Sequence, residues 1–274
     1  MYRIFSWAAA LGLLASCSGN PSEQNSSANI SPQNQEIKIN RHFLVFVDKT
    51  LSNNDSMAIQ QHSSALRRWL ADSLQGNGDR IAAWPINANT GGDAPFLNET
   101  INVPPPQLEG VGMQTAEDNQ AKFDAEIKRT KNRCIEQVEA ALSAQNTSST
   151  NQYTDLWRSL EAASRYFGAS AQPTDRCYLV WVSDMVESMK GDGRRDFHTK
   201  AIQTKEEAET LAAADAEYLR QHLKINASVL KKVQFVILFP NQPNSVTHNN
   251  MMRYYWEKLL SEVGVSEKNI RYQL

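Results

Sequence analysis

Three cysteines in 274 residues are too few for a fold stapled by disulfides, and Cys17 stands far from the other two. Basic residues are not in excess. The chain has 28 Lys and Arg against 30 Asp and Glu, a net charge of −2, with the two signs interspersed. Without a basic stripe there is no footprint for a phosphate backbone, which argues against nucleic acid as a partner. No apolar run reaches the roughly 18 residues that a bilayer-spanning helix needs. His42, His62, His198, His222 and His248 lack metal-ligand spacing, and no Ser or Cys stands in a recognisable nucleophile setting. There is no internal repeat, so solenoids and propellers drop out as well.

What is present is an ordinary globular composition, 41% hydrophobic with six Trp and eight Tyr, and length for one α/β domain. The first residues stand apart from it. Arg3 precedes a short apolar stretch, Ile4 to Leu14, which reads as a secretory signal. Leu14-Ala15-Ser16-Cys17 resembles the bacterial lipoprotein signal, in which small residues precede a cysteine that is lipidated and becomes the mature N-terminus. The resemblance implies a lipid on Cys17 and a place in the cell envelope. Ser18 rather than Asp after the cysteine favours the outer membrane, facing the periplasm. Ser18 to Glu36 is Ser, Asn, Gln and Pro with almost nothing apolar, the composition of a flexible tether. The expected organisation is a signal over 1–16, a lipidated cysteine and tether over 17–37, and one folded domain over 38–274. Cys134 and Cys177 then form an even pair in an exported domain. A disulfide between them, worth roughly 2–4 kcal/mol, competes with two buried free thiols.

Within the domain, strands alternate with helices. His42 to Val47 is a continuous apolar run, followed by a helical stripe over Asp55 to Leu74 and a strand over Arg80 to Ile86. Gly91-Gly92 and Pro104-Pro105-Pro106 bracket an edge strand over Phe96 to Val103. Glu117 to Ala144 reads as a long helix. A polar run, Gln145 to Gln152, separates it from a second helix bearing Leu156, Trp157, Leu160 and Phe167. Cys177 to Val182 is a second buried strand ending in Ser183-Asp184. A polar loop over Glu187 to Gln203 follows, then a helix over Thr204 to Leu223. A strand over Val233 to Phe239, a helix over Val246 to Val263 and a last strand over Ile270 to Leu274 complete the chain. This alternation predicts a three-layer, Rossmann-like α/β fold: a mostly parallel sheet with helices on both faces and one antiparallel edge strand.

Val45-Phe46-Val47-Asp48-Lys49-Thr50-Leu51-Ser52 delivers a carboxylate and two hydroxyls at alternate positions as a buried strand emerges at a sheet edge. Tyr153-Thr154-Asp155 opens a helix, where Thr154 could cap it or turn its hydroxyl toward a ligand. Asp184 ends a later strand. This set, Asp48, Thr50, Ser52, Thr154 and Asp184, resembles the metal-ion-dependent adhesion site of the von Willebrand factor type A domain. In that family the pattern is Asp-x-Ser-x-Ser, a distant Thr, and an Asp usually followed by Gly. The resemblance covers residues 38 to 274. It implies that the three hydroxyls bind Mg2+ or Mn2+, with the two Asp acting directly or through water. An acidic group of a protein partner then fills the open position. Two carboxylates and three hydroxyls suit a hard, octahedral cation and leave it electrophilic enough to take an outside carboxylate. The chain departs from the pattern twice, with Thr50 for the more usual Ser and Met185 for the Gly after Asp184.

Asp48-Lys49-Thr50 also resembles the phosphorylated motif of haloacid-dehalogenase-type enzymes, with Gly191-Asp192-Gly193 and Asp196 as their later Mg2+ loop. Asp48 would then be a phosphohydrolase nucleophile. Position decides against it, because that loop must directly follow a buried strand and this strand ends at Asp184. The expectation is a binding module and not an enzyme, with a metal-free scaffold of the same fold as the third reading.

Overall fold

The runs His42–Val47 and Cys177–Val182 are apolar at every position but the first or the exposed end, so they need cover on both faces. Both occupy the middle of the sheet. The computed structural model describes residues 39–50, 56–146, 148, 150, 152–191, 193–238 and 246–273. In chain order the elements are β1 (Arg41–Asp48), α1 (Ser56–Ser73), β2 (Arg80–Ile86), β3 (Leu97–Thr100), α2 (Met113–Ser143) and α3 (Leu156–Ser170). They continue with β4 (Arg176–Val182), α4 (Lys205–His222), the short α5 (Ala227–Leu230), β5 (Val233–Leu238), α6 (Val246–Glu262) and β6 (Ile270–Gln273). The strand order is β3-β2-β1-β4-β5-β6, and every pair is parallel except β2–β3. This is the three-layer, mostly parallel sheet with one antiparallel edge strand that the alternation predicts. Among the described residues no helix is long and apolar enough to cross a membrane.

Alternation along the central strands sorts the core into two layers. Phe43, Val45, Val47, Val180 and Val182 face α1 and α2, where Leu66, Leu70, Leu74, Val138 and Leu142 meet them. Leu44, Phe46, Leu179 and Trp181 face α3, α4 and α6. There Trp181 packs against Phe235 and Trp256, with ring centroids 5.5 and 5.2 Å away.

The same alternation overturns the disulfide between Cys134 and Cys177. Both are buried free thiols. Cys177 shares the parity of Leu179 and Trp181, and Cys134 on α2 packs with the layer on the opposite side of the sheet. A covalent link cannot cross the sheet between them.

The edge strand is shorter than predicted. Past Thr100 the chain turns to the loop before β2: Gly78 N donates to Ile101 O at 2.8 Å, and Asn77 bonds the backbone of Val103 in both directions at 2.7 and 2.8 Å. Because β3 pairs only with Arg80–Ala83, Pro85 lies where β2 has no outer neighbour. Its missing N–H therefore breaks no ladder. Helix α2 starts at Met113 and not at Glu117, with Gly112 as an extended N-cap that makes no side-chain bond.

Lys49 continues the alternation past the end of β1, onto the α2 side. Its side chain is buried, and Nζ donates to Ala141 O at 3.2 Å and Leu142 O at 2.7 Å, carbonyls of the last turn of α2. Burial pushes the ammonium down, and the Asp48 carboxylate beside it works the other way. The cation sits at the negative end of the helix dipole. Lys49→Met takes the side-chain donor from Leu142 O and leaves Ala141 O with only the 3.4 Å bond from Ala144 N, so urea denaturation is expected to show a loss of about 1–3 kcal/mol.

Candidate metal centre at the sheet edge

The β1–β4 register ends with Val47 opposite Val182, which makes Asp48 and Ser183 the next pair at the carboxyl edge of the sheet. Ser183 Oγ donates to Asp48 Oδ2 at 2.7 Å, and Oδ1 accepts from Thr50 N at 3.0 Å and Thr50 Oγ1 at 2.7 Å. Ser183 Oγ in turn accepts from Met185 N at 2.9 Å. The half-buried Asp184 has its Oδ1 bound by Val186 N at 3.1 Å.

Met185 explains how the chain manages without glycine after Asp184. Its φ is +63°, the left-handed region, which costs a non-glycine residue roughly 1–2 kcal/mol. The side chain is fully buried in the α6 layer, and Trp256 Nε1 donates to Met185 O at 2.7 Å. Packing and that bond hold the turn that a glycine would adopt freely.

Thr154 stands next to the start of α3, but it does not cap the helix. Asp155 does, accepting from Arg158 N at 3.0 Å. The backbone of Thr154 instead exchanges two hydrogen bonds with Ser188, at 2.9 and 3.0 Å. Its Oγ1 is buried and has no hydrogen-bond partner among the described residues. Such an atom costs about 1–3 kcal/mol unless something meets it.

Four loops are tied to this edge. Lys49 N donates to Ile86 O at 3.0 Å and Asp155 N to Asn87 O at 3.2 Å, so the segments bearing Asp48 and Thr154 hang on adjacent residues at the end of β2. Asn146 Nδ2 donates to Lys49 O at 3.1 Å, and Asn87 Nδ2 reaches Asn146 Oδ1 at 3.4 Å. Asp48, Thr50, Thr154 and Asp184 thus share one edge, while Ser52 and Cys17 lie outside the described residues. Asp192 does too. Asp196 serves a turn, its Oδ1 accepting from Ser188 Oγ, His198 N and Thr199 N at 3.1 to 3.3 Å.

Burial and the neighbouring Asp184 carboxylate push Asp48 up to about 7, against the hydrogen bonds from Ser183 and Thr50. Two carboxylates in mutual repulsion beside an unsatisfied hydroxyl are a donor set that a hard dication fits. Among the described residues no group of three or more His, Cys, Asp or Glu is arranged to hold a metal, so an ion here would have to draw on other oxygens, such as hydroxyls and water.

Glu187, Arg194, Asn87 and Asn146 join this edge without being expected from the sequence. The stretch 187–203, expected as a polar loop, carries the core residues Phe197 and Ile202, and Glu187 at its start is fully buried. The apolar pair Met185-Val186 signals that the chain entering this stretch is buried, but not what Glu187 meets.

No protein-family model matches the chain, and no curated protein is similar to it. Solved structures resemble it at low identity. Proximal thread matrix protein 1 from the mussel byssus aligns over 86% of this chain and 44% of its own, at 10% identity and TM-score 0.42. The ArnB paralog VWA2 from Sulfolobus acidocaldarius aligns over 86% and 42%, at 11% identity and TM-score 0.40. The vWF domain of the type V pili tip protein Mfa5 from Porphyromonas gingivalis aligns over 86% and 90%, at 8% identity and TM-score 0.42. The chain thus spans less than half of the first two proteins.

A folded-state pKa of about 7 for Asp48, against 3.8 for the ordinary carboxyl, sets a pH dependence. The folded protein holds this proton more tightly than the unfolded chain does. The resulting stability is full below about pH 4 and lost as pH rises through 7. In chelator, thermal denaturation is expected to show lower stability at pH 8 than at pH 5, with a flatter profile for Asp48→Asn. Parallel profiles for the two proteins would sink the assignment.

Proposed function

We propose that this chain is an envelope lipoprotein whose domain binds a divalent cation, Mg2+ or Mn2+, at the sheet edge and through it a protein partner. The observation that carries the reading is the buried, unpartnered Oγ1 of Thr154 on the same edge as Asp48 and Asp184. Asp48, Thr50, Thr154 and Asp184 would supply oxygens, with Ser52 completing the set expected from the sequence. The cation would supply a Lewis-acidic position for an acidic group of the partner. Asp48 is held by Ser183 and Thr50 rather than aimed outward, which suits a ligand better than a phosphohydrolase nucleophile. We therefore read the domain as a binding module and not an enzyme. Lys190, stacked over the Tyr153 ring at 5.2 Å, stands beside Thr154 as an exposed cation that would also favour an acidic partner.

Calorimetric titration tests the site. Wild type is expected to take up Mn2+ or Mg2+, Asp48→Ala to lose it, and Thr154→Val to bind roughly 10-fold or more weakly. No uptake by wild type would leave a metal-free scaffold. A pull-down of envelope proteins is expected to retain its partner in Mg2+ and release it in chelator. For the anchor, Cys17→Ser is expected to move the protein from the membrane pellet to the soluble fraction.

A further inference from the structure

A hydroxyl can serve a site only if its backbone is held still, and the backbone of Thr154 is held by its two-bond bridge to Ser188. Two carboxylates flank that bridge: Asp155 follows Thr154, and Glu187 precedes Ser188. Their side chains are 1% and 0% exposed. Glu187 Oε2 accepts from Leu156 N at 2.7 Å and Trp157 N at 3.2 Å, so it closes the start of α3 from outside the helix. Asp155 caps the same turn from within.

One side chain joins the two. Arg194, 39 residues beyond Asp155, donates Nη2 to Asp155 Oδ1 at 2.7 Å and Nη1 to Oδ2 at 3.3 Å. Nη2 also donates to Glu187 Oε1, and the guanidinium lies over the Trp157 ring at 4.9 Å. Arg158 also approaches Asp155, at 3.4 Å, but its side chain is 53% exposed. Among the described residues Arg194 is the ion-pair partner of Glu187.

We infer that Arg194 is the positioning residue of the sheet-edge site. By bridging Asp155 and Glu187 it locks the Thr154–Ser188 bridge and fixes where the Thr154 hydroxyl points. A planar fork is needed for this, because two carboxylates on separate segments must be met at once, which a lysine ammonium does poorly. Without Arg194, two buried carboxylates face each other, and one must protonate or leave. The bridge would then loosen. The consequence for ion affinity rests on Thr154 being a ligand, whereas the consequence for Thr154 itself does not.

The test uses two readouts on the full chain purified in detergent: the 13C-methyl NMR signal of Thr154 in chelator, and calorimetric titration with Mn2+. Arg194→Met is expected to shift or broaden the Thr154 signal and weaken Mn2+ binding by roughly 10–100-fold. Arg194→Lys should do so less. It carries the comparison if the Met variant does not fold. Combined with Thr154→Val, Arg194→Met should add no further loss, because both act through one hydroxyl. Arg195→Met is the control. Arg195, in the same loop as Arg194, pairs with Asp215 of α4 at 2.6 Å and touches neither Asp155 nor Glu187, so its loss is expected to cost stability and to move the Thr154 signal less than the loss of Arg194 does. An unchanged Thr154 signal and affinity in the Arg194 variants, with wild type binding Mn2+, would overturn the inference and leave the metal site standing. A shifted signal with no Mn2+ bound by wild type would overturn the metal site and leave Arg194 in its role.

Discussion

The hydrogen bond from Ser183 Oγ to Asp48 Oδ2 closes the β1–β4 ladder with side chains where the backbone pairing stops. Its geometry follows from register alone, since both residues come directly after a paired Val. Everything else at this edge is placed relative to it. Ser183 passes the connection to Met185 N, the left-handed turn begins there, and Asp184 is set beside the first carboxylate. A buried carboxylate with a like charge nearby and neutral hydroxyl partners is a poor device for stability. Such pairs cluster at functional sites.

Two buried charges brace the edge from opposite faces of the sheet. Lys49 meets the carbonyl end of α2, and Glu187 meets the N–H end of α3. Each charge has the sign that its helix end favours. Loops are ordinarily the mobile part of an α/β protein. Here the loops after β1, α2 and β4 are bonded to helix ends and to one another through Asn87, Asn146 and Arg194. A site assembled from loop residues thus inherits the rigidity of the helices.

The sheet was legible in the sequence because its central strands are covered on both faces, so each reads as an unbroken apolar run. Asp48 and Asp184 were legible for the same reason, as the first charges after such runs. Thr154 was legible only as an ambiguity, cap or ligand, and the hydrogen bond of Asp155 to Arg158 N resolved it against the cap. What stayed hidden depends on partners far apart in the chain. Glu187 meets the start of α3 across 31 residues, and Asn146 meets Lys49 across 97, so no local pattern marks either. The Cys134–Cys177 pair failed for a geometric reason, because an even count carries no information about which side of a sheet each thiol faces.

The short β3 and β6 bear on how the molecule behaves among its own copies. Each has four residues, against eight, seven, seven and six in β1, β2, β4 and β5. The hydrophobic strands lie inside, and the sheet ends on brief, partly polar segments, Leu-Asn-Glu-Thr and Ile-Arg-Tyr-Gln. Where β2 outruns β3, Pro85 offers no donor. The rows of unpaired backbone groups that could recruit a second sheet are kept to a few residues. Short, partly polar edges of this kind lower the tendency of a sheet with such apolar central strands to join another edge to edge.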